Sequence, residues 1–74
     1  MTVELTNAEK ASVVEQHLKS LAFNEYNLVL SIEEANAAAT PNETNIDSLN
    51  IQLSDVRAQK AALQGQLANL TEDN

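Results

Sequence analysis

The chain has no cysteine and no tryptophan, one glycine, one proline, one phenylalanine and one tyrosine, and only four Lys and Arg against eleven Asp and Glu. Each shortage excludes something. Without cysteine there is no disulfide framework, the usual staple of a 74-residue domain. With a formal net charge of −7, the clustered cations that release counterions from a phosphate backbone are missing, which argues against nucleic acid. The same charge opposes anionic membrane surfaces, and no apolar run approaches the ~18 residues of a spanning helix. The start, Met1 to Asn7, shows no basic stretch followed by an apolar one, so a secretory leader is not expected and a cytoplasmic setting is. What remains abundant is helix-forming: eleven Ala and ten Leu predict an all-α chain.

Two signals divide it. Thr6-Asn7-Ala8-Glu9 has the spacing of a capping box, which starts helix 1 at about residue 7. From there to Ala39 neither Gly nor Pro intervenes, so helix 1 is predicted over 7–39. Thr40-Pro41-Asn42-Glu43 reads as a second start, with Thr40 as cap and turn, Pro41 at the first helical position and helix 2 running to about 70. Acidic Thr71-Glu72-Asp73-Asn74 opposes the helix dipole at that end and is expected to fray. So short a connection predicts an antiparallel two-helix hairpin and a single domain over 1–74.

The hydrophobic periodicity supports this pairing. Helix 2 carries Ile46, Leu49, Leu53, Val56, Lys60, Leu63, Leu67 and Leu70 in an alternation of three- and four-residue steps, a coiled-coil seam. Helix 1 carries Ala11, Val14, Leu18, Leu21, Glu25, Leu28, Ile32, Ala35 and Ala39 in the same alternation. Folding the chain back at Thr40 pairs Ala35 with Ile46, Leu28 with Leu53 and Leu18 with Leu63, each pair of numbers totalling 81. One residue of each seam is charged, Glu25 and Lys60, and they fall in neighbouring layers about 6 Å apart. Two readings stand for these: a seam charge pair that fixes register, or two side chains that each reach water.

Helix 1 has a second apolar face. Ala22, Phe23, Tyr26, Val29 and Leu30 widen its hydrophobic arc to roughly 200°, more than one neighbour can cover. Helix 2 outside its seam is polar, with Asn50, Gln52, Arg57, Gln59, Gln64 and Gln66 and only Ile51 apolar on the far side. Homodimerisation through helix 1, completing a four-helix bundle, is the expected use of that face. Another protein as partner is the other possibility.

Catalytic and metal chemistry find little to work with. His17 is the single histidine, and the residue three before it is Val14, so the Glu-x-x-His spacing of di-metal bundles fails. Glu33 and Glu34 point in different directions on a helix and read as solvated. Gly65 lies mid-helix, without the neighbours of a phosphate or calcium loop. Asn42-Glu43-Thr44 and Asn69-Leu70-Thr71 match the glycosylation pattern by chance. No catalytic residue, cofactor or metal is expected, and the chain is not expected to be an enzyme.

The stretch Asn24-Glu25-Tyr26-Asn27-Leu28-Val29-Leu30-Ser31, followed by Glu33-Glu34-Ala35-Asn36-Ala37-Ala38-Ala39 and the Pro41 turn, resembles small helical-hairpin proteins encoded by marine tailed bacteriophages. The resemblance covers the second half of helix 1, the turn and the Ala/Gln/Leu-rich helix 2, and carries no functional residues to transfer. It implies a phage accessory or virion-associated component acting in the host cytoplasm. The expectation is thus a structural or protein-interaction module that self-associates through helix 1, with an acidic inhibitor or decoy for a basic host surface as the alternative.

Overall fold

The computed structural model describes residues 3–72, and these form two α-helices packed against each other: α1, Asn7–Ala37, and α2, Glu43–Glu72. Their packing makes a rod of 58 × 22 × 16 Å, with a radius of gyration of 17.0 Å where a globular chain of this length would have about 11 Å.

The capping box forms as its spacing predicts. The Glu9 backbone N–H donates to Thr6 Oγ1 at 3.1 Å and the Thr6 N–H donates to Glu9 Oε1 at 2.8 Å, satisfying two donors that the first turn leaves without partners. The other ends differ from the sequence expectation. α1 stops at Ala37, two residues before the predicted Ala39, because Ala38 is already extended at ψ 149 and closes the helix through one N–H donated to the Ala35 carbonyl. Proline at 41 keeps Thr40 out of helical backbone, and the three residues 38–40 bend instead. Ala39 is consequently exposed and outside the seam.

Helix 2 was expected to begin at Pro41 behind a Thr40 cap; Asn42 takes that role. Its Oδ1 accepts from the Asn45 N–H at 3.1 Å and its carbonyl accepts from Ile46 at 3.0 Å. Asparagine is at least as good a cap as threonine, and its amide oxygen reaches the third helical N–H. At the far end Thr71 and Glu72 are helical rather than frayed. The Thr71 hydroxyl, which can donate to only one acceptor at a time, lies 3.0 Å from the Leu67 carbonyl and 3.2 Å from that of Ala68, bonding back onto the preceding turn. Asp73 and Asn74 lie outside the described residues.

Between the caps, burial follows the predicted seam. Ala11, Val14, Leu18, Leu21, Glu25, Leu28, Ile32 and Ala35 on α1, and all eight seam residues of α2, are covered by the opposite helix. Coverage is partial nearly everywhere. Leu53, 8% exposed, is the sole hydrophobic residue that is buried among the described residues. Two helices can shield each other along one line only, so most seam side chains gain a fraction of the ~1.5–3 kcal/mol that full burial gives. The accessible surface is 5664 Å², where a compact chain of 8.0 kDa exposes about 4,500 Å². No helix of the described residues is long and apolar enough to cross a membrane.

Candidate interaction surface

Glu25 and Lys60 meet, and a third residue joins them. Lys60 Nζ donates to Glu25 Oε1 at 2.7 Å, while Arg57 Nε donates to Glu25 Oε2 at 2.9 Å. Both carboxylate oxygens are therefore engaged by cations from α2. The Glu25 and Lys60 side chains are 23% and 24% exposed, whereas Arg57 lies on the rim at 59%. The Lys60 hydrogen bond, then that from Arg57, hold the Glu25 carboxyl below its ordinary 4.5 against the opposing effect of burial.

Arg57 appeared in the sequence only as a polar residue beside the seam. The signal that would have found it is its level: in the register expected from the sequence, with seam pairs totalling 81, Arg57 falls within one residue of Glu25's own layer, whereas Lys60 would reach about a turn along the axis. A charged seam residue recruits the nearest opposite charge on the flank as well as in the seam.

The second face of α1 is open. Phe23 and Tyr26 are each 63% exposed, Leu30 and Ala22 are exposed as well, and Lys19 lines a shallow apolar groove with Ala22, Phe23 and Tyr26. Val29 differs from its neighbours in being half-buried. It lies next to the seam on the helical wheel and is shared between seam and patch. The opposite flank mixes polar side chains with the edge of the seam. One groove there is lined by Asn24, Asn27, Gln52 and Asp55, and another by His17, Ser20, Gln59 and Ala62.

Among the described residues no three His, Cys, Asp or Glu side chains gather where they could hold a metal ion. The grooves between the helices are open troughs along a two-helix rod and enclose no reacting group. No protein-family model, curated protein or solved structure matches the chain.

Proposed function

We propose that the chain is an antiparallel helical hairpin that acts as a non-enzymatic interaction module, pairing with a second copy of itself through the Phe23, Tyr26 and Leu30 face of α1 to complete a four-helix assembly. The exposure of the chain's two aromatic side chains, side by side on one helix, is the observation that carries this reading. Aromatic residues supply the largest buried area per side chain in an interface and are costly to leave in water. The excess accessible surface of the single rod points the same way, since association removes it.

The antiparallel arrangement is supported by the grooves between the helices. They gather Val14 with Gln66 and Leu70, Leu21 with Gln59 and Leu63, and Leu28 with Gln52 and Val56, so that numbers rise on α1 as they fall on α2. The decoy alternative has less to rest on: Glu9 is spent in a cap, Glu43 sits in a first helical turn and Glu25 is paired within the chain. The phage resemblance gives this module its setting, an accessory or virion-associated component in the host cytoplasm.

Sedimentation equilibrium tests the reading. At micromolar to hundred-micromolar concentration the expected mass is twice 8.0 kDa. A mass of 8.0 kDa throughout, with helical circular dichroism intact, overturns it.

A further inference from the structure

The exposed face of α1 carries charges of opposite sign on either side of Tyr26. Lys19, Tyr26 and Glu33 are spaced seven residues apart, which places them within about 20° of one line along the helix, at intervals of roughly 10 Å. Lys19 shares the groove of Ala22, Phe23 and Tyr26. The ion pairs among the described residues are those of Glu25 with Arg57 and Lys60, so Lys19 and Glu33 both face water without a partner in the single chain.

We infer that the second copy packs antiparallel on this face, with a two-fold axis at Tyr26 and with Lys19 of each copy opposite Glu33 of the other. The inference rests on the self-association proposed above and adds its orientation. Reversal about Tyr26 brings every member of the patch to a suitable neighbour within about one residue's rise, 1.5 Å. Phe23 comes level with Leu30 of the second copy, Ala22 with Val29, and Tyr26 with its own equivalent. Both flanks match, because in an antiparallel face-to-face pair each flank of one helix meets the same flank of the other. A parallel pair at the same face sets Lys19 on Lys19 and Glu33 on Glu33, two like-charge contacts at the ends of an apolar patch about 20 Å long. The patch is short for a stable interface, so flanking charges weigh heavily in choosing between the two orientations.

Two measurements on the full chain test this. The chain has no cysteine, so Ser12→Cys provides a single thiol for a spin label. Ser12 lies fourteen residues before Tyr26, and the distance between labels of two copies should be about 40 Å in the antiparallel dimer, against under about 20 Å in a parallel one. In parallel, Lys19→Glu and Glu33→Lys should each weaken dimerisation about tenfold, since each creates two like-charge contacts, and the double swap should restore it to within about twofold. Circular dichroism monitors folding, which exposed positions on an outer face leave intact. A short label distance in a mass-verified dimer overturns the orientation, as do single swaps that leave the dissociation constant unchanged, the result expected if copies meet through α2. Wild-type chain that stays at 8.0 kDa overturns the underlying self-association instead.

Discussion

α1 and α2 are almost the same length and carry seams of the same spacing, yet outside the seam they have little in common. α1 presents Phe23, Tyr26 and Leu30; α2 presents Ala58, Ala61, Gly65 and Ala68, with Ile51 as its one large apolar side chain on the far side. A seam needs only two of every seven positions, so the remaining five are free to record what else each helix touches. On α2 they record solvent. On α1 they leave Phe23, Tyr26 and Leu30 exposed, which under the proposed self-association would make α1 the inner helix and α2 the outer one.

The contrast can be broken most severely at the seam, which both helices share. Leu53→Ala should lower unfolding stability by about 2–4 kcal/mol, because Leu53 is the best-buried residue and the surrounding helices can close only part of the gap. Ile51→Ala, two residues away at a position 64% exposed, should change it by less than about 0.5 kcal/mol. Urea titrations followed by circular dichroism compare the two directly.

The outer faces are distinguished by association. Phe23→Glu or Leu30→Glu should shift sedimentation strongly toward single chains while leaving helicity intact; Ile51→Glu on α2 should leave the mass distribution as it was. Equal effects of all three would erase the distinction between an inner and an outer helix.

Gly65 sharpens the comparison from the other side. A Cβ at this position meets nothing within 4 Å, so no packing in the single chain requires glycine. Gly65→Ala should raise stability by about 0.5–1 kcal/mol through helix propensity alone, read as a higher urea midpoint with unchanged oligomeric mass. A drop in mass would show that a second helix approaches α2 closely there.

The smallest effect expected is electrostatic. Because its cationic partners lower the Glu25 pKa in the folded chain, this carboxylate contributes stability that is fully present above the ordinary value of 4.5 and is lost as pH falls through the lowered folded-state value. The stability difference between wild type and Glu25→Gln should therefore shrink as urea titrations are carried from neutral pH down through this range. Lys60→Met alone should cost less than a lone ion pair would imply, since Arg57 stays on the second carboxylate oxygen.

The seam was legible because its signal is one-dimensional: every third or fourth residue from Ala11 to Ala35 and from Ile46 to Leu70 is apolar or charge-matched, and helix geometry turns that spacing into a line. The Glu25–Lys60 contact is one of the two readings that the same arithmetic leaves open, and the structure shows it formed. What escaped depends on short-range competition that spacing does not describe. Asn42 displaces Thr40 as a cap because an amide oxygen reaches Asn45, the Thr71 hydroxyl bonds back onto the preceding turn, and Arg57 joins Glu25 from the flank, where a seam pattern does not look. Phe23 and Tyr26 were legible as a surface patch, but sequence alone did not show that Val29 is drawn partly under the neighbouring helix.

The link of five residues from Ala38 to Asn42 has a consequence for competition between chains. Joined so closely, each seam sees its own partner at an effective concentration in the millimolar range, far above that of any other molecule of the same chain. The seam is thereby satisfied within one chain before chains encounter one another, and the exchange of α2 between copies, which the identical seam would otherwise permit, is suppressed. Under the proposed self-association, chains would meet through the outer face of α1, where no tether favours one copy over the next and where concentration would therefore decide.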